Sequence, residues 1–251
     1  MGLLDFLFDK EKASERKLQK HEKKITNMFV QAPDRQFVIH DLGEIGTDEA
    51  VWILLQRYNE NNQNTTLDIE EKQLVFDTIL RIARDGRADV IGQVKRYVLE
   101  KEVKVNWPLK ILDELLPQDE YIAFLVDVLD SCQTEYQRTV EKKQELMLRA
   151  IELQSPDLAH QVSRFVSDDN ETIRFLAFDA ALHQQGTEEL AHAMFAQLVD
   201  EESLRIGQKV YPALVGRHDL VVPEDLREQV EERLPEGLGV HKEGFVYTRR
   251  R

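Results

Sequence analysis

At 251 residues, 42% of them apolar and 32% charged, with only 11 Gly and 7 Pro, the chain has enough apolar side chains for a core and too few breakers for a disordered one. A formal charge of −14 disfavours general nucleic-acid binding, which needs clustered Lys and Arg to displace counterions from phosphates. The single Cys132 leaves no intramolecular disulfide and fits a reducing cytosol, no stretch approaches the roughly 20 apolar residues of a membrane span, and the apolar start, broken by Asp5 and Asp9, has its positive charge behind it, unlike a signal peptide. The expectation is a cytoplasmic protein.

In chain order, residues 1–30 read as a leader that is not a repeat. Leu3, Leu4, Leu7 and Phe8 share one helical face, residues 10–24 carry a local net charge of +4, and Ile25, Met28 and Phe29 follow. Two roles are open. The favoured one covers the end of the first repeat, as a helical array requires; the other is an interfacial helix that gives residues 1–24 a peripheral contact with anionic lipid at the inner membrane face. The first repeat is expected to have helices near 33–45 and 48–59, joined at Gly46-Thr47, with Val51, Leu54, Leu55 and Tyr58 as its buried stripe. Asn59 to Thr66 is a loop. The second repeat carries Leu74, Ile79, Leu80 and Ile82, a turn at Asp85-Gly86, then Ile91, Val94, Tyr97 and Val98.

A third repeat opens at Trp107-Pro108 and turns at Pro117 before Tyr121 to Leu129, and 130–138 reads either as a loop or as a helix extension. Leu146 to Leu153 precedes Ser155-Pro156-Asp157, a helix start. Asp168 and Glu171 have capping-box spacing into a helix with Ile173, Leu176 and the small Ala177, Ala180 and Ala181, which permit close packing. After a helix beginning at Leu204, Val222-Pro223-Glu224-Asp225 leads into a capping helix that ends at Leu234. The remaining 235–251 is a tail in which Gly239 to Tyr247 alternates as a small hairpin would.

Repetition is the strongest signal. Gly46-Thr47-Asp48-Glu49 returns as Gly186-Thr187-Glu188-Glu189, a corner in which glycine takes the left-handed conformation and threonine caps the next helix. Asp169 to Arg174 matches Asp200 to Arg205 at a spacing of 31, and Asp157 to His160 matches Glu189 to His192 at 32. Such periods belong to solenoids. With Leu42-Gly43-Glu44-Ile45-Gly46 and Glu49-Ala50-Val51, these stretches resemble the HEAT-repeat family, in particular short bacterial repeats related to those of phycobilisome lyases. The resemblance covers residues 33–217 and implies an all-α superhelix of about five to six helix pairs, here over 31–234.

Catalytic signals are missing from the sequence. Arg174 and Arg205 could clamp an extended anion, but the resemblance implies structural hydrogen bonds to Asp169 and Asp200 in the inter-repeat turns. His160 and His192 repeat with the fold, yet adjacent helices lie about 8 to 10 Å apart while zinc needs both nitrogens at about 2.1 Å. Di-iron hydroxylases of related fold carry several His-Glu pairs, and here there is one, His21-Glu22. Glycosylases of related fold need a basic groove with aromatic residues; Trp52 and Trp107 are present but the charge is wrong. No phosphate loop, nucleophile elbow or metalloprotease helix occurs. The chain is therefore read as a non-enzymatic scaffold without cofactor or metal that holds a protein partner, and no nucleic acid, on the face made by its second helices. The surface residues expected there are Gln56, Arg57, Lys95, Arg96, Asp127 and Arg164. The alternatives are a lyase-related accessory protein acting on a prosthetic group, and a membrane-recruited adaptor.

Overall fold

The computed structural model describes residues 3–249, with side chains from residue 12 onward. The apolar tetrad Leu3, Leu4, Leu7 and Phe8 thus lies outside the described side chains. Among the described residues the fold is all-α except for one C-terminal hairpin. The chain divides into two compact units, Met1–Pro117 and Gln118–Arg251.

Unit 1 contains α1 (Leu3–Ile25), α2 (Ala32–Ile45), α3 (Asp48–Gln56), α4 (Thr65–Arg84), α5 (Val90–Glu100) and α6 (Asn106–Leu115). The helices lie in two rows: α2, α4 and α6 pack successively in the first, and α1, α3 and α5 in the second. Each buries one apolar stripe between the rows, for example Val38, Ile39 and Leu42 on α2, Val51, Leu54 and Leu55 on α3, and Val94, Tyr97 and Val98 on α5. Helix starts are fixed by side chains that accept from otherwise orphaned amides: Thr47 from Ala50 N (3.3 Å), Asn64 from Leu67 N (3.1 Å) and Asp89 from Gly92 N (2.9 Å). The C-terminal part of α1 seals the open side of α2 and α3. Ile25 is buried, and His21 Nε2 and Lys17 Nζ both reach Asp41 Oδ2 on α2, at 2.6 and 2.7 Å.

Unit 2 contains α7 (Gln118–Asp130), α8 (Glu141–Glu152), α9 (Pro156–Phe165), α10 (Glu171–His183), α11 (Glu188–Asp200), α12 (Leu204–Leu214) and the short α13 (Arg227–Arg233). Here the first row is α8, α10 and α12, and the second is α7, α9, α11 and α13. Ala177, Ala180 and Ala181 are fully buried on α10, which packs against α8, α9 and α12. Residues 131–140 are irregular, and the expected helix ending at Leu234 is a 3-10 turn, Glu224–Leu226, running into α13. Strands β1 (Leu238–Val240) and β2 (Val246–Thr248) pair antiparallel with Gly239 opposite Tyr247. The hairpin is tied to the preceding loop by Gly216 N to Val246 O (3.1 Å) and Val222 N to Gly244 O (2.8 Å).

Two local expectations are corrected. The cap of α10 is Asn170, whose Oδ1 accepts from Thr172 N and Ile173 N; Asp168 instead accepts from Asn170 N (2.8 Å) and is drawn into the core by Lys143 Nζ (2.5 Å). The two Gly-Thr corners also differ. Gly46 is left-handed (φ 59°) and returns its N–H to Leu42 O, whereas Gly186 has no positive φ. Glycine is required at 186 because a Cβ there would stand 2.2 Å from the carbonyl oxygen of Asp219, and its N–H donates to Asp219 Oδ2 (2.8 Å).

Candidate functional site

The polar residues fall into those that join repeats and those left facing outward. The first kind begins with Arg87, in the turn after α4: its guanidinium donates to Glu44 O (2.9 Å) and Gly43 O (3.0 Å) at the end of α2 and is held by Asp85 (2.8 Å). Arg217, after α12, does the same for α10, donating to the carbonyls of Leu182 and Gln184 while Asp219 grips it at 2.7 Å. Between α8 and α10 the buried Gln184 takes this part, giving its amide to Ala150 O (3.0 Å) and Leu153 O (2.8 Å) and accepting from Ser155 N (3.1 Å). Each rung satisfies carbonyls that a helix end leaves unpaired. Sequence reading missed all three. The signal was present in Gly86-Arg87 and Gly216-Arg217, a dipeptide repeated at two left-handed glycines, with φ of 63° and 80°.

Arg174 and Arg205 also join repeats, but through other carboxylates than expected. Arg174 forms a fork on Glu201 (2.8 and 3.0 Å) and reaches only the backbone oxygens of Asp168 and Asp169. The Glu201 hydrogen bond raises the Arg174 pKa; burial pushes Glu201 toward the neutral acid, but the hydrogen bonds from Arg174 and Ser203 N outweigh it and hold the carboxyl below its ordinary range. Arg205 points back to Glu171 at 3.6 Å and lies over the Phe175 ring at 3.8 Å, not on Asp200. The pairing is crossed because Glu171, at the start of α10, and Glu201, at the C-cap of α11 just before α12, each face the other repeat's arginine. His160 meets Glu189 of α11 at 2.7 Å, and His192 lies 3.6 Å from Asp225 in the 3-10 turn before α13, so each histidine faces a carboxylate. Among the described residues no group of three His, Cys, Asp or Glu could hold a metal ion.

Of the expected surface residues, Arg57 is misplaced, because it is completely buried. It ends α3 inside an ion cluster in which Arg35 and Arg57 both fork onto the buried Glu71, at 2.7 and 2.8 Å, and Arg57 also reaches Asp68 (2.8 Å). Lys72 completes the cluster on Asp68 (2.7 Å). Gln56 is buried too, spent on Trp52 O and Asn59. Helical spacing placed both off the apolar stripe correctly, but a polar residue off one stripe can still be covered by the next repeat. Arg96 is exposed on α5, held on the Trp52 ring at 4.3 Å and by Glu100 at 2.7 Å, and Lys95 beside it is half-buried. In unit 2, Asp127 is exposed on α7, while Arg164 on α9 is a pin, bound to Gln161 (2.6 Å), Cys132 O (3.2 Å) and Asp130 (3.4 Å).

A cavity of about 860 Å³ beside α12 went unread in the sequence; it is lined by Leu204, Tyr211, Pro212, Val215, Pro235 and Leu238. No helix among the described residues is long and apolar enough to cross a membrane. Comparison with protein-family models, with curated proteins and with solved structures finds no match to this chain.

Proposed function

We propose that this chain is a HEAT-like, non-enzymatic scaffold that holds a protein partner against the exposed side of its second-row helices. The observation that carries the reading is Arg96 on Trp52: a guanidinium laid on a half-buried indole at 4.3 Å and braced by Glu100 is an ordered, amphipathic surface pair. Arg and Trp are the residues that most often dominate binding energy, because they bring large contact area at low entropic cost when already fixed. The architecture agrees with it, since buried charges in both units are spent on one another and on backbone groups rather than gathered round a cleft. The test is affinity capture from the native cell, followed by calorimetry with the purified partner. Arg96→Glu and Trp52→Ala should weaken that binding at least about tenfold with the helical spectrum unchanged. Recovery of a pigment or other prosthetic group, with both variants still active in capture, would replace the scaffold by an accessory enzyme.

A further inference from the structure

Among its described side chains, α1 meets the rest of unit 1 along one side, where Ile25 and His21 are buried, Leu18 is half-buried and Lys17 is drawn to Asp41 (2.7 Å). The opposite side is basic. At 100° per residue Lys12, Arg16, Lys20, Lys23 and Lys24 fall within an arc of about 120°, and the stripe they form runs about 18 Å along the helix. All five are exposed, and none has an ion-pair partner among the described residues. The two acids of this stretch, Glu15 and Glu22, lie outside the arc. Asp5 and Asp9 fall on the same arc nearer the N-terminus, so the basic stripe begins at Lys12.

The turn that follows α1 adds an aromatic side chain to the end of this stripe. Phe29 is 99% exposed, yet its backbone is fixed. Its N–H donates to Asn27 Oδ1 (2.9 Å), and the carbonyls on either side of it, those of Met28 and Val30, both accept from the guanidinium of Arg35. Arg35 is itself buried and forked onto Glu71, so the display of Phe29 is tied to the ion cluster in the core of unit 1. A large apolar ring held in water on an ordered backbone is a surface prepared for contact.

We propose that the basic face of α1 and Phe29 form a docking surface for an anionic lipid bilayer, the cations lying on the headgroups and the ring entering the interface. Charge complementarity carries the choice of partner. No aliphatic residue larger than Ala13 and no aromatic one stands between the charges, so the stripe lacks both the anchors that hold a protein partner and the rings that stack on bases. Four of its five cations are lysine ammoniums, point charges on flexible stems that follow mobile headgroups without a fixed geometry. The chain's net charge of −14 does not cancel the attraction, because the body of unit 1 stands behind α1. That distance is about a helix diameter, 10 Å, beyond the Debye length of about 8 Å at physiological salt. Arg96 and Trp52 take no part, so the surface does not rest on the scaffold reading.

Co-sedimentation of the full chain with phosphatidylcholine vesicles, with and without phosphatidylserine, tests it. The wild type should bind the mixed vesicles and not the neutral ones, and should be released as salt rises. Lys20→Gln should weaken binding about fivefold, and Lys20→Gln with Lys24→Gln about 25-fold. Phe29→Ala should weaken it about five- to tenfold by a factor that salt does not change, and the emission of a Phe29→Trp chain should shift to the blue on the mixed vesicles. Lys242→Gln removes the same charge from an exposed site in unit 2 and should bind as the wild type does. All these positions lie at the surface, so their replacement leaves the fold intact, which a melting curve checks. Absence of binding to the mixed vesicles, equal binding to the neutral ones, or binding indifferent to the Lys20 and Lys24 pair or to Phe29 would each overturn the proposal. So would an RNA or DNA oligonucleotide that strips the wild type from the vesicles, because the stripe would then be a site for nucleic-acid phosphates.

Discussion

Unit 1 and unit 2 each lay their helices in two rows, yet they secure similar turns and bury their charges by different means. The Gly46 corner uses glycine for a left-handed backbone, whereas the Gly186 corner uses it to let Asp219 approach. Unit 1 buries a network in which one carboxylate, Glu71, serves two arginines; unit 2 buries a simple pair, Lys143 with Asp168. Their charge balance differs as well, with 21 acids against 18 Lys and Arg in the first and 26 against 15 in the second. The rows are set by apolar stripes common to both units, so polar fittings are free to vary as long as every buried group finds a partner. A repeated sequence tetrad therefore marks a repeated place, and the job done there has to be read from its neighbours.

The comparison breaks most visibly at the buried ions. Glu71→Gln leaves two arginines in the core of unit 1 without their shared countercharge and should cost about 3 to 5 kcal/mol, since an uncompensated buried charge is far more expensive than a lost pair. Replacing both members of the unit 2 pair, Lys143→Met with Asp168→Leu, should cost less than Lys143→Met alone; chemical denaturation of the three variants measures this.

The corners come next. Gly186→Ala forces a Cβ against a backbone oxygen and should lose about 1 to 3 kcal/mol, and Gly186→Asn no less. At Gly46 a Cβ would meet only the Arg87 guanidinium, at 2.7 Å, a side chain that can shift, so the backbone decides the order: Ala should cost about 1 to 2 kcal/mol, and Asn less than Ala, because Asn tolerates the left-handed region. Equal ranking of Ala and Asn at the two sites in thermal melts would remove the distinction.

A smaller effect separates the two arginines. Arg174→Ala strands Glu201, whose side chain is 2% exposed, and should lose about 1 to 3 kcal/mol. Arg205 is itself exposed and its ion pair with Glu171 is long, at 3.6 Å, so Arg205→Ala should stay within about 0.5 kcal/mol. If instead Arg205→Ala is the more damaging in urea titrations, the crossed pairing is wrong.

The weakest perturbation is acid. Hydrogen bonding from Arg217 holds the Asp219 carboxyl well below its usual range against partial burial, and Glu201 and Asp41 are lowered too. A depressed folded pKa means that the unfolded chain takes up protons first on acidification. The stabilisation is therefore complete above the ordinary carboxylate pKa of about 4 and is lost as pH falls below it. The melting temperature should be flat from pH 8 to pH 5 on this account and drop below about pH 4, and Asp219→Asn should shallow that drop. An unchanged slope in the variant would show that Arg217 acts without its aspartate.

The helices, their turns and their caps could be read from local sequence because each depends on a few adjacent residues: Thr47 and Ser155 cap where their spacing says, and Val94, Tyr97 and Val98 bury the stripe their period marks. The C-terminal hairpin was legible for the same reason, in the alternation around Gly244. Residues that meet only after stacking were not. Arg57 and Gln56 look like surface from their own helix, and α4 covers Arg57 with Asp68 and Glu71. Arg174 chooses Glu201 over Asp169 across 27 residues, and Gly186 is obligatory because of Asp219, 33 residues away. Periodicity, capping and the apolar faces are written locally, because they are properties of single helices. Which charges are buried, which carboxylate each arginine holds and where α12 leaves an open groove emerge only from packing, because they depend on the distance between side chains that the chain brings together when the rows of each unit close.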